Sequence, residues 1–279
     1  MPPNQAVRSP LRPNEPIPEP PRAIGGALLL PDGAGPFPAV VIVHSTAGVD
    51  RRTAVYAQAL RDAGIASLTV DLWGMRGIDP GMDLPRSRPA SVLFTLPDVV
   101  GALRFLAAQP NIDRHSIGVM GGSWGAHTSI WLASDRVRKA YGGDGTWFRA
   151  FGAVYPSCWG YRPGGPAREH LEQGWPLGPL IVLAAGIEDF DSPSDGSVCR
   201  STFGEGSTLP GRHLIRFHLY PDATHSWDTT SRALLSFYDP AAAGGRGGMV
   251  RTQRNEAATA DAARRLRDFF AETLRAAAH

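Results

Sequence analysis

The chain has 279 residues, of which 43% are hydrophobic and 19% charged, so it can bury a sizeable core as a globular protein. Its formal net charge is only +2, and the cations are scattered among acidic residues, which indicates no nucleic-acid-binding surface. No apolar run approaches the roughly 20 residues that a membrane helix needs, and no signal-peptide pattern stands at the N-terminus. We therefore expect a cytoplasmic protein without a membrane partner, unless a leader has been removed.

Residues 1–22 form a segment of distinct composition, with eight prolines among polar residues. Proline fixes φ and has no amide hydrogen to donate, so this segment is predicted as an extended N-terminal arm outside any sheet. The rest of the chain, residues 23–279, is predicted to form a single domain.

Short apolar runs alternate with helical patterns along this domain. Predicted strands cover residues 23–30, 39–43, 65–70, 117–120, 151–155, 180–185 and 214–220, the last being the final strand. Predicted helices cover residues 52–63, 96–109, 126–133 and 252–277, while 72–89 and 191–211 are mainly loop. The closing helix carries one apolar stripe, made of Ala263, Leu266, Phe269, Phe270 and Leu274. This alternation predicts an α/β fold with a mostly parallel central sheet and helices on both faces.

A serine flanked by glycines lies between the fourth predicted strand and the following helix, in the sequence Gly-Gly-Ser-Trp-Gly at 121–125. Strand, tight turn and helix with Ser123 at the apex is the G-x-S-x-G nucleophile elbow. The glycines are needed because a Cβ at 121 or 125 would collide with the neighbouring strand or helix. Ser123 is therefore the candidate nucleophile.

A serine needs a base to accept its proton, and His225 is the favoured candidate among eight histidines. It lies in a loop just after the strand at 214–220, where it can lean over Ser123. His44 lies at the same end of the sheet but adjoins the loop after strand 39–43. His127 is one helical turn beyond Ser123 and is expected to point along that helix.

The base in turn needs an acid to orient it, and three carboxylates follow the strand at 180–185. Asp189 is favoured, although its neighbours Glu188 and Asp191 could take its place. The resulting order of serine, acid and histidine is the one found in α/β-hydrolases. The oxyanion requires backbone N–H donors, and those of Thr46 and Trp124 are the candidates.

Six segments together resemble the dienelactone hydrolase family of α/β-hydrolases, and the similarity extends from about residue 23 to the C-terminus. They are residues 40–50, 68–77, 118–126, 153–158, 184–199 and 219–228. The resemblance implies the α/β-hydrolase fold and, position by position, Ser123 as nucleophile, Asp189 as acid and His225 as base. It likewise implies Thr46 and Trp124 as oxyanion donors.

The chain departs from the namesake enzymes of this family at two positions. They have a cysteine where this chain has Ser123, and a glutamate that helps to activate the thiol where this chain has Ser45. We therefore expect a serine hydrolase that cleaves carboxylic esters or lactones of small molecules through an acyl-enzyme, with no cofactor and no metal. A peptidase or amidase on the same fold is one alternative, and a binding protein that has lost catalysis is another; the oligomeric state is left open.

Several loop residues at this end of the sheet could contact a substrate. Arg76 and Trp159 are the first candidates, followed by Trp73 and Arg162, as an aromatic pocket with an arginine for a substrate carboxylate. Ordinary loop packing explains each of them equally well.

The two cysteines, Cys158 and Cys199, make no metal-binding signature. They follow two strands that the family's order would place side by side. A disulfide between two loops and a pair of free thiols both remain open.

Overall fold

The computed structural model describes residues 23–78, 91–142, 145–171 and 174–275, together with the backbone of 7–8 and 16–17. The last two segments are the short strands β1 (Val7–Arg8) and β2 (Pro16–Ile17), which pair antiparallel in a two-stranded sheet. The prediction that residues 1–22 lie outside any sheet is therefore wrong for these two segments, because their backbones hydrogen-bond to each other. The predicted N-terminal arm, residues 1–22, otherwise lies outside the described residues. Most of the predicted loop at 72–89 does so too, from residue 79 onwards.

A seven-stranded, mostly parallel sheet forms the centre of the fold, as the alternating pattern predicts. Its strand order is β3-β5-β4-β6-β7-β8-β9, and the edge strand β3 alone runs antiparallel to its neighbour. The strands are β3 (Gly25–Leu29), β4 (Phe37–Val43), β5 (Ala66–Asp71), β6 (Ile112–Gly122), β7 (Phe151–Val154), β8 (Leu180–Ile187) and β9 (Ile215–Thr224). Because β4 to β9 are parallel, their carboxyl ends meet at one edge of the sheet, where α/β proteins build their sites.

Helices cover both faces of the sheet. They are α1 (Arg51–Asp62), α2 (Leu96–Ala107), α3 (Trp124–Leu132), α4 (Asp135–Tyr141), α5 (Ser197–Phe203) and α6 (Glu256–Arg275). Helices α1 and α6 share one apolar layer, whereas α2, α3 and α5 contribute to the layer on the opposite face. The whole predicted stripe of α6 is buried. Among the described helices, none has both the length and the apolar character required to cross a bilayer.

An antiparallel hairpin was missed by the sequence analysis and lies between β9 and α6. Strand β10 (Leu235–Asp239) pairs with β11 (Gly248–Thr252), and an irregular helical turn at Ala242–Gly245 connects them. The prediction that 214–220 is the final strand is therefore wrong. The closing helix also starts at Glu256 and not at residue 252, because residues 248–252 are hydrogen-bonded into the hairpin.

Candidate active site

The turn at Ser123 has the tight strand–turn–helix geometry that the sequence predicts. Strand β6 ends at Gly122, α3 begins at Trp124, and Ser123 between them has φ 51° and ψ −108°. A Cβ at Gly125 would lie 2.1 Å from the Val43 carbonyl oxygen, and one at Gly121 would lie 2.3 Å from the same atom. Glycine at both positions thus lets the turn approach the end of β4 and hold the strained serine.

A continuous hydrogen-bonded chain joins Ser123, His225 and a buried carboxylate. Nε2 of His225 lies 2.9 Å from Ser123 Oγ, and its Nδ1 lies 2.9 Å from Oε2 of Glu188. Both His225 and Glu188 are buried, at 4% and 0% exposure. With the ring proton on Nδ1 donated to Glu188, Nε2 is left to accept the proton of the Ser123 hydroxyl.

Asp189, the acid favoured from the sequence, does not reach His225. Its Oδ2 accepts hydrogen bonds from the Arg251 backbone N at 2.9 Å and from Nε at 2.8 Å, and its Oδ1 accepts one from Nη2 at 2.7 Å. The prediction that Asp189 pairs with His225 is wrong, and Glu188, kept as an alternative, occupies that position. Glu188 and Asp189 lie in the turn after β8, where each side chain follows its own partner: His225 for Glu188 and Arg251 for Asp189.

The third carboxylate in this segment, Asp191, has a structural task. Its Oδ1 accepts hydrogen bonds from the backbone N of Cys158 and of Trp159, each at 2.8 Å. Burial, aided by the nearby Glu188 carboxylate, raises the pKa of Asp191 to about 7. Asp191 therefore organises the loop after β7 and leaves the contact with His225 to Glu188.

Burial disfavours charge on both members of the central pair, His225 and Glu188. It lowers the pKa of His225 to about 4, which keeps the imidazole neutral and able to act as a base at neutral pH. Burial also raises the pKa of Glu188, whereas two hydrogen bonds favour its carboxylate form: the Phe190 amide donates to Oε1 at 3.3 Å, and Nδ1 of His225 donates to Oε2 at 2.9 Å.

His44 is fully engaged in holding two strand ends together. Its Nδ1 donates to the Ser45 carbonyl at 2.6 Å, and its Nε2 accepts from the Leu72 amide at 3.0 Å. Burial lowers the pKa of His44, so the ring stays neutral. These contacts tie the loop after β4 to the end of β5, next to the candidate oxyanion loop.

His127 lies in the wall of the active-site cavity but away from Ser123 Oγ. Its Nδ1 is 2.7 Å from the Tyr161 hydroxyl, and its Nε2 is 3.0 Å from Ser157 Oγ. Burial lowers the pKa of His127 to about 4. His127, Tyr161 and Ser157 thus form a neutral, hydrogen-bonded polar group in the cavity wall.

The two predicted oxyanion residues, Thr46 and Trp124, both line the cavity beside Ser123. Trp73 does not line it: its side chain is buried, and its indole Nε1 donates to the Thr46 carbonyl at 3.0 Å. The Trp73 ring also packs edge-on against Trp124, with centroids 5.6 Å apart. The prediction that Trp73 contacts the substrate is therefore wrong. Trp73 instead supports the segment that carries Thr46.

The cavity over Ser123 has a volume of about 700 Å³, within the range of small-molecule sites. Most of its large side chains are aromatic: Trp124, Trp131, Trp159, Tyr161, Phe190, Phe237 and Tyr238. Trp159 is thus the one proposed substrate-binding residue that the structure brings to the cavity.

The two arginines proposed for substrate binding lie elsewhere. Arg76 is paired with Asp98, whose Oδ2 accepts from Nη2 at 2.7 Å, and neither Arg76 nor the exposed Arg162 lines the cavity. The cation in the cavity wall is Arg52, which the sequence analysis missed. Asp50 binds its guanidinium, with Nε to Oδ2 at 2.8 Å. The sequence did contain a signal that Arg52 lies near the site: it falls in the first turn of the helix that follows the loop carrying Thr46.

Cys158 and Cys199 form a disulfide, with Cα atoms 5.0 Å apart. The sequence left open a disulfide or two free thiols, and the structure contains the disulfide. It connects the loop after β7, which contributes Trp159 to the cavity, with helix α5, which follows β8.

Fold and site together define an α/β-hydrolase with a serine at the nucleophile elbow. Residues 24–274 match the model of the dienelactone hydrolase family, so the chain belongs to that family. No curated protein matches the sequence.

Solved structures with the same fold include members of this group. A candidate dienelactone hydrolase from Klebsiella pneumoniae is 18% identical, with a TM-score of 0.65 and coverage of 92% of this chain and 96% of that one. A dienelactone hydrolase-like promiscuous phosphotriesterase from metagenomic libraries is 18% identical (TM-score 0.60, 90% and 92% covered). Esterase 2 of Thermogutta terrifontis, phosphonylated by cyclosarin, is 13% identical (TM-score 0.58, 88% of each chain covered).

Proposed function

We propose that this hydrolase cleaves carboxylic esters or lactones of small molecules through an acyl-enzyme on Ser123. The observation that carries the proposal is the hydrogen-bonded chain from Glu188 through His225 to Ser123, which opens on the 700 Å³ cavity. Ser123 is the nucleophile, His225 the base and Glu188 the acid, in place of the Asp189 expected from the sequence.

In the first half of the reaction, Nε2 of His225 takes the hydroxyl proton as Ser123 Oγ attacks the ester carbonyl. The carbonyl oxygen becomes an oxyanion beside the backbone N–H groups of Thr46 and Trp124. Each such donor typically stabilises the transition state by about 3 kcal/mol. The intermediate collapses, the bond to the leaving oxygen breaks, and His225 returns the proton to the departing alcohol.

In the second half, water takes the place of the alcohol. His225 accepts a proton from the water as its oxygen attacks the acyl carbon, and then returns that proton to Ser123 Oγ as the free acid leaves. The Glu188 carboxylate stabilises the imidazolium that forms in each half. Three side chains and two backbone amides supply the whole sequence of steps, and none of the steps requires a cofactor or a metal.

The walls of the cavity favour an uncharged, apolar substrate. Most of their large side chains are aromatic. The two charged side chains already have partners, since Arg52 is paired with Asp50 and Asp239 accepts a hydrogen bond from the Ala241 amide. The proposed partner is thus a small-molecule ester or lactone, and we propose neither a nucleic-acid partner nor a membrane partner.

The proposal is tested by hydrolysis of p-nitrophenyl esters from acetate to octanoate, with the wild-type protein beside Ser123→Ala. We expect turnover that falls by several orders of magnitude in the variant. A fluorophosphonate probe should label the wild type covalently and leave Ser123→Ala unlabelled. A folded protein that neither turns over an ester nor reacts with the probe would contradict catalysis and support a binding scaffold.

A matched pair of substrates separates the esterase from the peptidase or amidase alternative. An activated ester reacts faster than the matching anilide in either class of enzyme, so the informative readout is cleavage of the p-nitroanilide itself. We expect no Ser123-dependent turnover of the p-nitroanilide with the same acyl group. Ser123-dependent cleavage of that anilide would contradict the assignment as an esterase.

A further inference from the structure

The β10–β11 hairpin carries a cluster of exposed apolar side chains. Of the ten large hydrophobic side chains that are exposed within the described ranges, five fall between residues 234 and 249. They are Leu234, Leu235, Phe237, Tyr238 and Met249. Such a concentration on one short element indicates a surface that makes contact with another apolar group.

Two members of this cluster also belong to the active-site cavity. Phe237 and Tyr238 line it while remaining 43% and 62% exposed, so they form part of its mouth. Trp159 and Phe190 line the same cavity. Leu235 and Met249 do not line it, although they are 46% and 56% exposed. The apolar surface of the cavity thus continues outward onto one part of the hairpin.

The hairpin is tied to the segment that carries Glu188. Arg251 of β11 binds the Asp189 carboxylate through three hydrogen bonds, and the backbone N of Ala243 donates to the Asp189 carbonyl at 3.0 Å. Gly244 N donates to the Phe190 carbonyl at 2.8 Å. These contacts place Phe237 and Tyr238 at a defined position relative to the Ser123–His225 pair.

We infer that the hairpin is an apolar substrate subsite, in which Phe237 and Tyr238 bind an alkyl or aryl group of the ester that extends out of the cavity. The inference rests on the proposed esterase function and adds a substrate class to it: esters with a long or bulky apolar substituent on the acyl or the alcohol side. Aromatic side chains that remain exposed in the free protein lose contact with water when such a group covers them, which favours binding.

The test compares kcat/KM for long and short substrates as a ratio. One series varies the acyl group at constant p-nitrophenol, and a second series varies an alkyl alcohol at constant acetate. We expect the ratio of kcat/KM for the octyl substrate to kcat/KM for the shortest substrate to fall by about tenfold in Phe237→Ser and in Tyr238→Ser, in at least one series. Tenfold is the lower end of the effect of one methylene group in an apolar pocket. Met249→Ser is the matched control, because Met249 pairs with Tyr238 across the hairpin but does not line the cavity.

The outcomes separate this inference from the proposed function. Turnover that depends on Ser123, combined with unchanged ratios in both hairpin variants and both series, would overturn the subsite and leave the esterase standing. An equal fall of the long-to-short kcat/KM ratio in Met249→Ser would show a general effect on the hairpin, and this result would also overturn the subsite. A dimer in solution that Met249→Ser dissociates, with ratios unchanged throughout, would assign the cluster to contact between copies of the chain. Absence of Ser123-dependent turnover on every ester would instead reject the proposed function.

Discussion

Asp189 binds Arg251 through both carboxylate oxygens, and this pair fixes strand β11 against the segment that carries Glu188. Partial burial alone would raise the pKa of Asp189, but the hydrogen bonds and charge of Arg251 outweigh it and lower that pKa. Two adjacent carboxylates therefore have different tasks: Glu188 faces the histidine, and Asp189 faces the hairpin.

The first prediction separates these two tasks. Glu188→Gln should lower kcat by about 10³–10⁴-fold, because a neutral amide cannot stabilise the imidazolium or fix its tautomer as a carboxylate does. Asp189→Asn should cost less than about tenfold in kcat, since it only weakens the attachment of the hairpin. Steady-state kinetics on one p-nitrophenyl ester measures both. A larger loss in Asp189→Asn than in Glu188→Gln would return the role of acid to Asp189.

The second prediction concerns pH. Protonation of His225 removes the base, so kcat/KM should rise with pH as the buried His225–Glu188 pair loses its proton and then level off. In Glu188→Gln the negative charge that favours the imidazolium is absent, so the pKa of His225 should fall further. The acidic limb of the residual activity should move to lower pH by about one unit or more. A shift to higher pH would contradict the placement of an ionised Glu188 beside the ring.

The third prediction tests Trp73 as a support for the oxyanion segment. Trp73→Phe removes the hydrogen bond to the Thr46 carbonyl but keeps most of the buried aromatic surface. The loss should appear mainly in kcat, up to about tenfold, which corresponds to one hydrogen bond. KM should change little because Trp73 does not line the cavity. A change confined to KM would indicate direct contact with the substrate.

The fourth prediction concerns the glycine after the elbow. A Cβ at Gly125 would meet the Val43 backbone at 2.1 Å, so Gly125→Ala should lower the free energy of unfolding by about 3 kcal/mol or more. Gly101→Ala is the control: the position lies inside α2 with no atom within 4 Å of the new Cβ. There the substitution should stabilise the protein by about 0.5–1 kcal/mol. Urea unfolding measures both, and equal effects would contradict the close approach at the elbow.

The fifth prediction concerns the disulfide, which spans 41 residues of sequence. Loop entropy predicts that the double substitution Cys158→Ala, Cys199→Ala lowers the free energy of unfolding by about 4 kcal/mol. Reductant should lower the melting temperature of the wild type and leave that of the double variant unchanged. Equal sensitivity of both proteins to reductant would show that the stabilisation comes from elsewhere.

The sequence was sufficient for the elements that carry the site, because each has a strong local pattern. The apolar run at 39–43 is buried on both faces of the sheet, which is why it is readily recognised as a central strand. Ser123 could be identified because only a glycine-flanked turn between a strand and a helix satisfies the steric requirement of the elbow. His225 follows because a residue just past β9 reaches the same edge of the sheet.

The choice between Glu188 and Asp189 could not be made in the same way. Periodicity places both just beyond β8, and their directions depend on partners distant in sequence. For Asp189 that partner is Arg251, which lies in a hairpin that was not predicted from the sequence. The pairing of β10 with β11 is a tertiary effect that overrides local preference in these short segments.

Loop side chains were the least predictable, since the end of the sheet at which a loop lies does not fix where its side chains point. Trp73 and Arg76 lie at the correct edge, yet Trp73 turns into the core and Arg76 turns to Asp98. Arg52 in turn reaches the cavity from the first turn of α1, which the sequence analysis treated only as a helix start.

The position of the hairpin anchor directly after Glu188 has a consequence for any attempt to redesign this protein. Residues chosen to widen the range of substrates lie on an element whose attachment point is one peptide bond from the proposed acid. Substitutions that shift the hairpin will therefore shift Glu188 as well, so that selectivity and turnover cannot be optimised independently. Exchange of side chains at 237 and 238 on an unaltered backbone is the route that avoids this trade-off.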